Sequence, residues 1–354
     1  MIIPTESIGS IPRPQQLIDA RLKWEQGQLS QSELDMITGE AVRDTIWRLE
    51  ATGSPIITDG EQGKPSFATY PLHGASNLAS NGISIPFADG HTRQLPRLTA
   101  GPFRYATYAS SYLIAAKKLT KSPVKQAVIS ASVLSLLYPS DGIPGYPREQ
   151  FLDDLTSEAE TDIRGCLEAG ASSVQIDFTE GRLALKLDPS GGLLDQFVRL
   201  NNRVLERFSE KERLRLGVHS CPGGDLDATH SADVDYAGLL PSLFKLKVTN
   251  FYLQMASEKN RDRVLRLIRD NIQAQHRVFV GVIDPINPML ETPEDVYARV
   301  LEAAQHIPVD QLGTTDDCGF APFLDDTSTA RDLAFSKIAA RVKGTTMAAE
   351  RLQG

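Results

Sequence analysis

The chain has little cysteine: three in 354 residues. An odd count leaves at least one thiol outside any internal disulfide and argues against a disulfide-stapled fold, so Cys166, Cys221 and Cys318 need separate explanations. No apolar run approaches the roughly 20 residues that cross a bilayer. The opening MIIPTESIGSIPRP has no basic stretch followed by an apolar one. Neither a membrane span nor a secretory leader is expected, and a cytoplasmic location is. Positive charge is also scarce. The formal net charge is −8 and the pI near 5.4, with no Lys/Arg stripe interleaved with aromatics, which argues against a binder of nucleic-acid phosphates. What remains, 41% hydrophobic and 23% charged residues, suffices for a large buried core and does not suit disorder or a coiled coil.

Short β-branched runs alternate with amphipathic helical stretches, the pattern of a parallel sheet with helices outside. Eight runs stand out, around Thr5 to Ser10, Ile56 to Glu61, Ala127 to Ala131, Val174 to Asp177, Leu216 to Cys221, Phe251 to Met255, Val278 to Asp284 and Leu312 to Cys318. Eight strands predict closure into a (β/α)8 barrel, an α/β fold. Helix starts are marked by Ser30-Gln-Ser-Glu33 as a capping box and by Thr292-Pro293-Glu294-Asp295 with proline at the first helical position. The stretch 81–97 (NGISIPFADGHTRQLPR) reads as a hairpin inserted after the second strand. No repeat or linker divides the chain, so residues 1–354 are expected to form a single barrel domain with an N-terminal helical extension.

Most of the expected strands end in polar residues: Ser10, Glu61, Asp177, His219 with Cys221, Gln254, Asp284, and Asp317 with Cys318. Barrel active sites gather at these ends. In an extended strand residues i and i+2 share a face, so the imidazole of His219 and the thiol of Cys221 can point at one ion. A second thiol at Cys318 would complete a nitrogen and two sulfurs, donors that suit zinc with one position open. The bland alternative is a small buried cysteine and a satisfied core histidine. Cys166, in the helical RGCLEAG, reads as packing.

The segments IGSIPRP, ITDGEQG, QID, GVHSCPGG with the downstream DYAGLLPSLF, NFYLQMA, GVIDPINPMLETPEDV and TTDDCGF resemble, in order, the catalytic barrel of cobalamin-independent methionine synthase and its short single-barrel relatives. The resemblance implies a zinc ion held by His219, Cys221 and Cys318. It further implies methyl transfer to homocysteine, giving methionine, with the amino acid bound by Ile8, Ser10, Glu61 and Asp177. Each residue also has a plainer reading. Glu61 could be a solvated turn residue, Ser10 a helix cap and Ile8 core, while a buried Asp177 needs some donor in any case.

Three departures bear on the reaction. Where the family supplies a further zinc-ligating Glu, this chain has Gln254, whose amide is a poor ligand beside thiolates; a Glu there would be expected to close the tetrahedron. The family's general-acid His is missing from Asp284-Pro285-Ile286-Asn287, and its pterin-packing Trp is missing from SASVLSLLYP, where Tyr138 is the nearest aromatic. The alkyl donor, delivered free or by a protein partner, is therefore left open, and a zinc-held thiol other than homocysteine, such as coenzyme M, is an alternative, as is a non-catalytic barrel with a structural metal. Two further catalytic candidates remain: Asp284, to orient a substrate or a zinc-bound water, and His230, as an acid/base. Against these roles stand a turn cap for Asp284 and a solvated loop histidine for His230.

Overall fold

The computed structural model describes residues 2–353. Its centre is a six-stranded parallel sheet of β1 (Gln126–Ile129), β2 (Val174–Asp177), β3 (Leu216–Ser220), β4 (Asn250–Leu253), β5 (Arg277–Ile283) and β6 (Leu312–Asp316), with sequence neighbours adjacent throughout. The strands are Val/Ile/Leu-rich and almost wholly buried, as expected where helices cover the outside and side chains fill the inside.

The first two expected strands are only partly strands. Thr5 forms an isolated parallel bridge with Thr314 of β6, and Ile57 forms one with Val124 just before β1. Each bridge carries two main-chain hydrogen bonds: Glu6 N to Thr314 O (3.0 Å) and Thr314 N to Pro4 O (2.9 Å), then Ile57 N to Pro123 O (3.0 Å) and Lys125 N to Ile57 O (2.8 Å). The two segments meet through Ile11 N to Gly60 O (3.0 Å) and the Thr58 hydroxyl to Gly9 O (2.9 Å). The (β/α)8 circuit thus has six laddered positions and two joined by single bridges. Proline explains part of this, since Pro4 and Pro12 have no amide to donate. Gly60 (φ 65°) and Glu61 (φ 55°) turn the second segment out of extended geometry.

Helices Gln15–Glu25 and Gln31–Ala51 lie between the two bridged segments, so the expected N-terminal extension is the first crossover of the circuit. The capping boxes at Ser30/Glu33 and Thr292/Asp295 are both formed. The hairpin is present as Ser84–Pro86 paired antiparallel with Thr92–Gln94. Cys166 is fully buried in helix Arg148–Glu168, and burial pushes its thiol up. Among the described residues no helix is long and apolar enough to cross a membrane.

Buried cations close the circuit where ladders do not. Arg341, from the C-terminal helix Arg331–Gln353, donates to Glu6 O (2.7 Å), to the Ser7 hydroxyl (2.9 Å) and to Asp316 (2.8 Å), tying the first segment to β6. Arg13 donates to the carbonyls of Glu61 (2.7 Å) and Lys64 (3.0 Å) and to that of Ala321, joining the loops of the first, second and last positions. Lys64 pairs with Glu61 (2.9 Å) and donates to Ala127 O of β1 (2.8 Å). Removing one partner of such a pair leaves an uncompensated buried charge, which costs about 3–5 kcal/mol. Arg341→Ala should therefore lower the urea-unfolding free energy by about that amount, and adding Asp316→Asn should recover part of the loss. A near-zero effect of Arg341→Ala would show that Arg341 does not close the seam.

Candidate metal centre

His219 lies on β3, Cys221 just past its end, and Cys318 two residues beyond β6. The side-chain donor atoms of the three lie within 4.8 Å of one another. His219 is positioned by the Tyr252 carbonyl on the neighbouring strand, 3.2 Å from its Nδ1. Among the described residues its Nε2 is buried without a hydrogen-bond partner. An outer contact on one ring nitrogen and a free lone pair on the other is how a ligating histidine is held. The Cys221 and Cys318 sulfurs are 3.3 Å apart. The hydrogen bond the two thiols share holds the Cys318 thiol well below its ordinary value and pushes that of Cys221 up. Two thiolates on one zinc at about 2.3 Å each would stand about 3.8 Å apart, a small adjustment. An orphaned imidazole nitrogen and paired sulfurs therefore fit a thiophilic metal ion.

Cys318 is placed by its neighbour. The carboxylate of Asp317 accepts from the amides of Met255 (2.8 Å), Ala256 (2.7 Å) and Ser257 (2.7 Å) and from the Ser257 hydroxyl (2.7 Å). This locks the loop after β4 to the loop carrying the thiol. Burial raises Asp317 to about 6. Gly281 and Gly319 permit the approach, because a Cβ on the first would strike the Asp317 carboxylate and one on the second the Ser10 hydroxyl.

Beside the donors is a narrow cavity of 30 Å³ whose wall includes Ile8, Ser10, Glu61, Asp177, His219 and Cys318. The residues implied by the family resemblance are thus brought to one place. Their states differ. Glu61 is ion-paired with Lys64 at 2.9 Å. Asp177 has one oxygen on Gln175 Nε2 (2.7 Å), and burial raises it to about 7 against the pull of His219. Ser10 Oγ accepts from Ala321 N (3.3 Å), leaving its own proton to donate. Ile8 packs with Tyr252 and Phe279.

A second cavity, of 410 Å³, shares Phe67, Thr179, Gly223 and Gly224 with the first. One wall is the inserted hairpin, contributing Ile85, Phe87, Thr92, Arg93, Gln94 and Leu95. The hairpin is latched by charge: His91 Nε2 lies 3.0 Å from Asp225, and Arg93 binds Asp225 (3.1 Å) and Asp325 (2.9 Å). His230 lines this cavity, its Nδ1 2.6 Å from Ser231 Oγ and its ring edge-on to Phe87 at 5.5 Å. It is buried rather than solvated, and burial lowers it to about 4, so it is neutral at pH 7. Glu180 also lines the cavity, with Oε1 on Ser130 (2.6 Å) and Ser132, and Oε2 buried without a partner. Burial raises Glu180 to about 7.

Asp284 lies elsewhere. Its Oδ1 accepts from Ile286 N (3.0 Å), the geometry of a turn cap, and it lines neither cavity. Tyr138 donates to Tyr146 O (2.7 Å) and stacks on Phe151, so the aromatics of the larger cavity are Phe67, Phe87 and Phe323. Sequence reasoning named Asp317 only as a polar strand end, without its supporting role, and missed Lys64, Glu180 and the wall made by the hairpin. Only the Asp preceding Cys318 in DDCG offered a local signal.

The family model described as the cobalamin-independent synthase catalytic domain matches residues 3–341. The 5-methyltetrahydropteroyltriglutamate–homocysteine methyltransferase of Shewanella oneidensis is 23% identical over 327 residues, covering 90% of this chain and 40% of that protein. The methionine synthase of Sulfurisphaera tokodaii is 21% identical over 352 residues, covering 99% of this chain and 94% of the relative. The chain thus spans well under half of the long relatives and almost all of the short ones. Among solved structures, a B12-independent methionine synthase from Shewanella sp. W3-18-1 in complex with selenomethionine has a TM-score of 0.78 at 19% identity, covering 100% of this chain and 99% of that one. At that identity the likeness speaks for the fold.

Two outcomes follow from the geometry. Asp317→Ala should weaken metal binding by about 10–100-fold in chelator competition, the usual loss when an outer support is removed; unchanged affinity would show that Cys318 is held without it. His230 has a folded pKa of about 4 against an ordinary 6.5, so the unfolded chain binds its proton first. Its contribution is complete above pH 6.5 and is lost as pH falls towards 4. The difference in stability between wild type and His230→Gln should narrow over that window, and a flat difference would contradict the burial argument.

Proposed function

The chain belongs to the family of cobalamin-independent synthase catalytic domains, matched over residues 3–341, and from that footing we propose that it transfers a methyl group to the thiol of homocysteine at a zinc ion held by His219, Cys221 and Cys318. The observation carrying this reading is the unpartnered His219 Nε2 converging with two sulfurs beside a cavity that also presents Asp177. A zinc ion there would lower the pKa of a thiol entering the remaining position, so that the thiol loses its proton to solvent and is held as the thiolate.

The chain's own residues then do the positioning. Glu61 is already balanced by Lys64, so Asp177 is the carboxylate that receives the substrate ammonium, whose charge offsets its burial. The Ser10 hydroxyl, with a proton to give, faces the substrate carboxylate. The thiol passes Phe67 and the Gly223–Gly224 turn, the boundary shared with the larger cavity. The methyl donor occupies that 410 Å³ cavity, walled by the hairpin and facing Glu180 and His230. Neutral His230 acts there as a hydrogen-bonding group or base. Three free thiols suit a reducing compartment, and we place the reaction in the cytoplasm.

Metal analysis of protein purified without added metal tests the reading. One zinc per chain is expected, lost in Cys318→Ser, with about one proton released per homocysteine bound. Asp177→Asn should weaken homocysteine by about 10-fold or more while leaving the zinc in place, as expected for loss of a charged hydrogen-bond partner. A thiol without an ammonium group, coenzyme M, should not register that substitution. Absence of zinc, or equal loss for both thiols, would sink the assignment.

A further inference from the structure

A fourth side chain stands beside the metal donors without reaching in. In the ladder between β3 and β4, His219 is opposite Tyr252 and Ser220 opposite Leu253. Continuing by the two-residue period puts Gln254 next to Cys221 on the same inward face. Gln254 is buried, and both ends of its amide are taken. Oε1 accepts from Arg182 Nη1 at 3.1 Å, and Nε2 donates to Ser257 Oγ at 2.9 Å.

Arg182 comes from helix Glu180–Leu187 and is itself buried. Its other terminal nitrogen binds Glu258 at 3.1 Å, and its guanidinium lies 4.2 Å over the Tyr236 ring. Tyr236 in turn donates to Ser220 O (3.2 Å), between the two β3-end ligands. The guanidinium is therefore fixed by the same strand end that carries the metal donors. A charge-assisted bond to an amide oxygen is strong, whereas that oxygen is a weak ligand beside thiolates. The guanidinium wins the competition for it.

We propose that Arg182 is a positioning residue. By binding the Gln254 amide oxygen it keeps that side chain out of the metal's coordination sphere, so that His219, Cys221 and Cys318 are the whole protein ligand set and the next position is reserved for the substrate thiol. This rests on the metal reading above. The charge balance agrees with it: a divalent ion, two thiolates and a neutral imidazole sum to zero, so an incoming thiolate displaces no anionic ligand. On this proposal a Glu at 254 would pair with Arg182 rather than close the tetrahedron.

The test uses cobalt(II) in place of zinc, read by chelator competition and by the thiolate-to-cobalt absorption band that grows when homocysteine binds. Gln254→Glu alone should keep metal affinity and the homocysteine requirement within about threefold of wild type. The double variant Arg182→Gln/Gln254→Glu frees the carboxylate to ligate, and should tighten the metal and raise the homocysteine requirement by about 10-fold or more. A large change in Gln254→Glu alone, or no change in the double variant, would overturn the proposal. If the double variant does not fold, the single variant still decides. A wild type that binds no metal would instead bring down the metal assignment itself.

Discussion

Buried positive charge is what this barrel depends on. Six strands hold one another by ladders, but the first two positions of the circuit have only a single bridge each. Arg341, Arg13 and Lys64 span the gaps by binding carbonyls and carboxylates of segments distant in sequence. Desolvating a cation is costly, so such residues persist only where several acceptors surround them. Here the acceptors are largely backbone carbonyls, those of Glu6, Glu61, Lys64, Ala321 and Ala127. The exchange gives the chain irregular backbone at Ile8 to Ser10 and at Gly60–Glu61, where the carbonyls of Gly9, Gly60 and Glu61 still accept hydrogen bonds.

That irregular backbone belongs to the candidate site. A strict strand alternates its side chains, whereas the turn at Glu61, with φ of 55°, carries its carboxylate to both Lys64 and the inner cavity. The laddered strands supply the complementary part. The register places Asp177, His219, Tyr252 and Phe279 in one row across β2 to β5. Gly217 and Gly313 leave room for the two rings inside the barrel. The aromatic floor under the metal donors is thus set by two missing side chains, and the rigidity of His219 comes from main chain one strand away.

Much of this was legible in the sequence because it is local. Alternating runs gave the six ladders, Ser30/Glu33 and Thr292/Asp295 gave helix starts, and the His-x-Cys spacing gave two donors on one face. What escaped notice is long-range pairing. Nothing near Arg341 marks Glu6 as its acceptor 335 positions away, and nothing near Arg93 points to Asp225 and Asp325. The hairpin was read correctly as a hairpin, but its role as a cavity wall depends on those latches. The first two strands were read too regularly because hydrophobic pattern reports burial, and a buried segment with prolines and a left-handed turn satisfies the same pattern without a ladder.

The same distinction separates carboxylates that look alike in sequence. Asp316, Asp317 and Asp177 each end or follow a strand, and each is buried with its pKa raised by desolvation. Asp316 is paired with a guanidinium and Asp317 accepts four donors. Both therefore spend their charge on holding the protein together. Asp177 has one oxygen on a neutral amide and borders the cavity beside the metal donors. A buried carboxylate without a full complement of partners is destabilising unless a ligand completes it. Among these three, Asp177 is the one that borders the cavity, and strand position alone does not reveal that.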